Sequence, residues 1–362
     1  MMAKRVPIDT YCEKKIPTLQ KTYDGLIDYV DISSVDNTEK KIISYQTIES
    51  NDAPSRAKQL LKKGDVLVST VRPNLNAVAV VEEETENLMV GSTGYCVLRC
   101  KDNMDVRYLF NFCQSQYFVD DMSSQATGAS YPAVSNGIVR SALIPCCSIE
   151  EQREIAEKMD TVSELLVLRK QQLAELDELI KSRFIELFGD PIRNTQNRPT
   201  TDFINVVKMQ RGFDLPVQDR QQDGDIPVFG SNGALDRHNV AKVQGGGVIT
   251  GRSGTIGKVY YTEGDYWPLN TSLFSVDTHG NNIVYLAYLL QMYDLSRFTE
   301  GTGVPTLNRN KFHDKPIIDV PLNEQEQFAV FVKQTDKSKL AVQNSIAELE
   351  ELKKSLMQKY FG

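Results

Sequence analysis

A chain of 362 residues exceeds what one ordinary hydrophobic core organises, so two domains are the first expectation. Apolar residues at 41% and charged residues at 25% are those of a soluble globular protein. They exclude gross disorder and a fibrous repeat; no apolar run reaches bilayer length and none follows MMAKRVPIDTY, so a cytoplasmic protein is expected rather than a membrane or secreted one. The net charge of −7 argues at first against nucleic acid, yet 11 acidic against 6 basic side chains fall between residues 150 and 190, which leaves the rest nearly neutral.

Residues 1–147 read as a first globular region. The runs Leu26–Ile32, Asp65–Thr70, Ala77–Val81 and Tyr95–Leu98 predict short strands between Gly, Pro and Asn turns, and Tyr108–Phe112 predicts a short helix. The six cysteines (Cys12, Cys96, Cys100, Cys113, Cys146 and Cys147) include no Cys-x-x-Cys pair, so reduced thiols are expected rather than a zinc site. Residues 148–190 read as one long helix. Ser148-x-x-Glu151 spells a capping box. Ile155, Met159, Val162, Leu166, Leu173, Leu176, Ile180, Phe184 and Leu187 form a stripe at helical spacing, and Gly189-Asp190-Pro191 ends it. Residues 191–322 read as a second globular region, with strands at Ile226–Phe229, Val248–Thr250, Val259–Tyr261 and Leu273–Val276 and a short helix at Tyr285–Leu289. Residues 323–362 read as a second long helix, with Asn323 as its cap and Phe328, Val332, Val342, Ile346, Leu349, Leu352, Leu356 and Tyr360 as its stripe. Each helix has about 37 residues and spans roughly 55 Å. A stripe so thin does not hold a helix in water alone, so the two are expected to pack against each other.

A repeat ties the regions together. Glu151–Gly189 aligns without a gap on Glu324–Gly362, an offset of 173, with 12 of 39 positions identical, among them Phe188-Gly189 over Phe361-Gly362. The same offset puts Pro132 over Pro305 and Ser135 over Asn308. Tyr108–Phe112 matches Tyr285–Leu289 at 177, and Gly64–Arg72 resembles Gly246–Arg252 with Arg72 over Arg252 at 180. The chain reads as one unit, variable globular domain then long helix, written twice.

Gly251-Arg-Ser-Gly-Thr-Ile-Gly257-Lys258 resembles a phosphate-cradling loop and fails in detail. Five residues separate the outer glycines where four are needed, Val259 stands where a hydroxyl should hold magnesium, and a strand follows instead of a helix. Read as strand–turn–strand, it projects Arg252, Ser253, Thr255 and Lys258 from a tip. Its counterpart presents Thr70, Arg72, Asn74 and Asn76. Arginine matches guanine edges or phosphate and asparagine matches adenine, so DNA contact is expected; a solvated surface turn is the alternative. A second pair of loops, Thr127–Pro132 with Tyr131 and Thr302–Thr306, leads into turns capped by Ser135 and Asn308, and Arg309 and Lys311 add charge beside the second. Those loops read equally as structural joints. No nucleophile–base pair and no Asn/Asp-Pro-Pro-Tyr methyltransferase run is present, so no catalytic residue is assigned.

The order of variable domain, Glu-Glu-Gln-Arg-Glu-Ile-Ala-Glu-Lys (150–158), long helix, Leu-Phe-Gly-Asp-Pro (187–191), second domain and second helix resembles the specificity subunit of type I restriction–modification systems. The resemblance implies an α+β fold: two mixed α/β target-recognition domains with small curved sheets, separated by two long antiparallel coiled-coil helices in an internal pseudo-two-fold repeat. It implies a non-catalytic reader in which each domain recognises one half of a bipartite site on double-stranded DNA. It further implies two methyltransferase subunits docked on the helices, with Ile155, Met159, Leu166, Leu176, Phe328, Val332, Leu349 and Leu352 as partner-facing positions. S-adenosylmethionine would belong to those partners, and ATP and magnesium to restriction subunits where these join; this chain itself would hold no cofactor or metal. A stand-alone DNA-binding regulator and a coiled-coil interaction scaffold are the alternatives.

Overall fold

The computed structural model describes residues 4–301 and 305–362. Two compact units divide the chain: Met1–Arg169 with Ser345–Gly362, and Lys170–Asn344. The division falls inside both long helices. These are Ile149–Phe188 and Leu322–Phe361, each of 40 residues, and both their first and their last residues stand 173 positions apart.

Local chemistry sets the helix ends. The Ser148 hydroxyl accepts the Glu151 N–H at 3.2 Å, as a capping serine does. Gly189 takes a left-handed φ of 76° and its N–H bonds the Ile185 carbonyl at 2.8 Å, which closes the last turn. The second helix begins one residue earlier than its spelling suggests. Asn323 lies inside the first turn, and the Pro321 carbonyl accepts the Glu324 N–H at 3.0 Å in place of a side-chain cap.

Each unit is built on the same plan. In the first, Val66–Ser69 runs between Tyr95–Leu98 and Val78–Val80, all antiparallel, and all three strands are buried. In the second, Gly247–Gly251 runs between Ser272–Asp277 and Val259–Thr262, with Lys208–Arg211 added at the far side. A core helix packs beside each sheet, Val106–Gln114 in one and Ile283–Tyr293 in the other. A two-stranded joint leads into each long helix, Arg5–Pro7 with Leu143–Pro145 and Thr200–Asp202 with Pro316–Ile318. Beyond this common frame the units differ. The first carries a four-stranded sheet of Gln46–Glu49, Leu26–Val30, Leu88–Ser92 and Ala57–Leu60; the second carries a three-stranded one of Gly233–His238, Ile226–Gly230 and Trp267–Pro268.

Helix packing is antiparallel inside each unit. In the second, Phe328 touches Phe184 and Phe188 at ring distances of 5.5 and 5.7 Å, while Lys339, farther along its helix, pairs with Asp177, farther back on the other, at 2.6 Å. Lys339 interrupts the apolar stripe and is offset by this ion pair; buried Thr335 spends its hydroxyl on the Phe331 carbonyl at 3.0 Å. In the first unit Ile155, Ala156 and Met159 share one core with Phe361, and Leu356, Met357 and Tyr360 pack against it. Each unit therefore combines the start of one long helix with the end of the other.

Candidate nucleic-acid interface

In the first unit the central strand Val66–Ser69 runs into the loop 70–77, and the loop 127–133 comes to meet it. Val71 bridges Ala133, the Val134 N–H bonds the Thr70 carbonyl at 2.9 Å, and the Arg72 N–H bonds the Pro132 carbonyl at 2.7 Å. Arg72 has a left-handed φ of 49° and opens the 3-10 turn Pro73–Leu75, whose leading proline suits a turn start. Its guanidinium lies 4.8 Å from the centre of the Tyr131 ring, and Tyr131 is 68% exposed. An exposed arginine thus rests on an exposed aromatic face at the seam of the two loops, a pairing worth about 0.5–1 kcal/mol in itself. Asn74 is also exposed.

Two expected contact residues point inward instead. Thr70 is 7% exposed and its hydroxyl donates to the Gly94 carbonyl at 2.9 Å. Asn76, left-handed at φ 48°, donates its side-chain amide to the Cys113 carbonyl at 3.2 Å. Both hold the loop rather than present it. Lys40 holds it from beneath, donating to the Asn76 carbonyl at 2.5 Å; burial, with Lys353 nearby, pulls its pKa down to about 8. Nothing in the pattern around Lys40 signalled this support.

The second unit joins the equivalent loops. Ser253 bridges Thr306, and the Leu307 N–H bonds the Arg252 carbonyl at 2.8 Å. The Arg252 and Ser253 N–H groups both reach the Thr271 carbonyl, at 2.9 and 3.2 Å. The glycines have steric reasons: a Cβ on Gly251 would stand 1.7 Å from the Thr255 carbonyl oxygen, and Gly254 has a left-handed φ of 84°. Arg252, Ser253 and Thr255 are half-buried, while Lys258 and Asn308 are exposed. Asn308 caps the turn Arg309–Lys311 as expected, accepting the Asn310 N–H at 3.1 Å. Ser135 likewise caps the helix Asn136–Ser141. Lys311 pairs with Glu300 at 2.7 Å, which raises its pKa, so its charge is partly spent. Thr302, Gly303 and Val304 of the second loop pair lie outside the described residues.

The register corrects one sequence alignment. The bridge Val71–Ala133 corresponds to Ser253–Thr306, and the bond from Val134 to Thr70 corresponds to that from Leu307 to Arg252. The hairpins therefore match at an offset of 182, not 180. Arg252 stands where the first unit has Thr70, and Arg72 stands where the second has Gly254, both left-handed. The end-to-end comparison of Gly64–Arg72 with Gly246–Arg252 had absorbed two extra residues on the way to the first arginine. The two arginines are not equivalent; they reach the surface from different points of one scaffold.

The helix positions expected to face partners are mostly used within the chain. Ile155, Met159, Leu166, Phe328 and Val332 are buried, and Leu176 and Leu349 are half-buried. Only Leu352 of that set is exposed, at 46%. The 3.6-residue period marks the apolar stripe, and the stripe serves the helix pair itself. The apolar residues left outward are mostly others, among them Leu165, Leu168, Leu179 and Leu340, with Leu352.

The family described as type I restriction modification DNA specificity domain matches residues 9–178 and again 193–353, nearly the whole chain in two copies. The chain belongs to this specificity family. Among curated relatives, it is 26% identical over 178 residues to the type I restriction enzyme HindI specificity subunit of Haemophilus influenzae, which is 47% of this chain and 38% of that protein. It is 22% identical over 166 residues to the MjaVIII specificity subunit of Methanocaldococcus jannaschii, 44% of this chain and 39% of the other. The matched stretch thus spans well under half of either relative. Two solved structures share the fold over almost the full length. One, from work on complex assembly and conformational transition of the type I restriction–modification system, gives a TM-score of 0.66 at 24% identity over 99% of this chain and 97% of that one. The other, the S subunit from M. genitalium, gives 0.65 at 15% identity over 99% and 96%. The paired loops of the first unit fall within the first matched stretch and those of the second unit within the second. Among the described residues no helix is long and apolar enough to cross a membrane.

Proposed function

We propose that this chain is the non-catalytic, sequence-reading subunit of a type I restriction–modification complex, each unit reading one half of a bipartite site on double-stranded DNA. The observation that carries the reading is the duplicated loop seam. In both units the loop leaving the central strand is stitched to a loop upstream of the long helix, with arginine and asparagine side chains at each seam and Tyr131 at the first. Fixed backbone with arginine and asparagine at a tip suits base-edge readout in the major groove. Two methyltransferase subunits holding S-adenosylmethionine are the proposed partners, docking on the outward helix residues Leu165, Leu168, Leu179, Leu340 and Leu352. Restriction subunits using ATP and magnesium would join the same assembly, and the cytoplasm is its proposed location. A chain of net charge −7 neutralises few phosphates, so partners would supply much of the affinity at physiological salt.

Mapping of methylated adenines in the host tests the reading. Arg72→Ala should relax recognition of one half-site by about 10-fold or more and leave the other intact, and Arg252→Ala should do the converse, since a bidentate base contact carries about 1–3 kcal/mol. Methylation unchanged by both substitutions would defeat it.

A further inference from the structure

Arg297 lies in the 3-10 turn Leu295–Phe298, which leaves the core helix Ile283–Tyr293 through Asp294 at a left-handed φ of 52°. Asp294 fixes the turn by accepting the Ser296 N–H at 3.2 Å. The turn packs on Thr306–Leu307, one side of the second unit's seam. Ser296 also lies against the other side: a Cβ on Gly257 would come within 3.4 Å of the Ser296 Cβ. Arg297 therefore flanks both recognition loops without belonging to either.

Its surroundings place the guanidinium over two aromatic rings and leave it, among the described residues, without a carboxylate partner. The guanidinium carbon is 4.1 Å from the ring centre of Tyr293 and 4.7 Å from that of Phe298, and these rings stack on each other at 6.0 Å with 28° between their planes. The wall is rigid, because Tyr293 is 1% exposed and its hydroxyl donates to the Pro316 carbonyl at 2.9 Å. Arg297 itself is exposed. Among the described residues no carboxylate pairs with it, and the nearby Glu300 is taken by Lys311. An arginine held against aromatic rings with no counter-ion is partly ordered already and loses less freedom on meeting an anion.

We propose that Arg297 is a phosphate clamp of the second unit, gripping the DNA backbone beside the bases that Arg252 and its loop read. The inference rests on the DNA-reading function proposed above and assigns a separate task within it. Arg297 stands beside the seam rather than on the loop tip, the place of a backbone contact rather than a base contact. In the first unit the helix Gln116–Gln125 packs on the loop turn Pro73–Leu75 at the corresponding place, and it carries Asp120 and Asp121. The clamp is one-sided.

Titration of the full chain with a fluorescent 40-base-pair duplex of random sequence, from 50 to 200 mM salt, tests this. One phosphate contact adds about 0.9 to the log–log salt slope, so wild type should lose roughly 3.5-fold more affinity over that range than Arg297→Met does. Arg297→Lys keeps the charge and should restore the slope, whereas a packing role would be served better by the Met variant. Thermal midpoints of all three confirm folding. If wild type binds and Arg297→Met keeps the full slope, the clamp is refuted while DNA reading stands. If wild type shows no binding even at 50 mM salt, the clamp is refuted, while DNA reading is decided separately by the methylation mapping of Arg72→Ala and Arg252→Ala.

Discussion

His313 ties the second loop seam to the core of its unit. Its Nε2 accepts the Met209 N–H at 3.2 Å, its backbone N–H donates to the Arg309 carbonyl at 3.1 Å, and its ring stacks on Phe203. Accepting an N–H requires the neutral ring with the proton on Nδ1. Burial first, then the positive charges of Arg309 and Lys208, push its pKa below the ordinary histidine value, against the opposing pull of Asp314. A folded pKa below the unfolded one means that the unfolded chain binds the proton more readily. The contribution of His313 is therefore complete above about pH 6.5 and is lost as pH falls through the folded pKa. Urea midpoints read from Trp267, the single tryptophan of the chain, should drop between pH 7 and pH 5 in wild type and drop less in His313→Gln, which keeps an acceptor without titrating. Parallel pH profiles in the two proteins would contradict this role. At the same scale, residue type marked the seam and side-chain direction did not. Arg72 and Tyr131 are exposed at the seam and Arg252 is half-buried beside it, but Thr70 and Asn76 have the same polar character and face the interior. Polarity alone does not distinguish a group that bonds a ligand from one that satisfies its own backbone.

The elements show which signals were strong. Strands with alternating or wholly apolar residues, such as Val66–Ser69 and Gly247–Gly251, were legible, as were both long helices and both core helices. Gln46–Glu49, Ala57–Leu60 and Gly233–His238 were not, because their polar, half-exposed sequences are held by neighbours and carry little period of their own. The helix Gln116–Gln125 was missed for the same reason. One repeated pair had no role assigned from the sequence: Gln152 and Gln325, each 1% exposed near the start of a long helix. Gln152 accepts the Asp105 N–H at 2.8 Å and donates to the carbonyls of Asn103 and Cys147 at 3.3 and 3.1 Å. Gln325 accepts the Asn282 N–H at 2.8 Å and donates to the Asn281 side chain and the Val320 carbonyl, both at 2.7 Å. Each side chain locks the start of its core helix to the start of its long helix. Gln325→Ala should lower the urea stability read by Trp267 by about 1–3 kcal/mol, the cost of leaving buried partners unpaired. Gln152→Ala should leave that transition in place and speed amide exchange in Val106–Gln114. A shift of the Trp267 transition by Gln152→Ala as large as that of Gln325→Ala would show that the locks are not local.

For the molecule as a whole, the repeated helix sets a length. Under the proposed function, inserting four residues near the middle of both long helices adds roughly 6 Å to each, close to two base-pair steps of 3.4 Å. Methylation mapping should then find the same half-sites with a spacer longer by one or two base pairs, and altered half-site bases would contradict the division between ruler and readers. The fully buried Phe361 has a further consequence for how the protein is made. Its ring fills the first unit's core, 5.2 Å from Tyr108 and 5.9 Å from Phe112. The ribosome finishes the walls of that cavity more than two hundred residues before it supplies the plug. Throughout the intervening synthesis the nascent first unit lacks that ring, so a core begun early in these residues is sealed late.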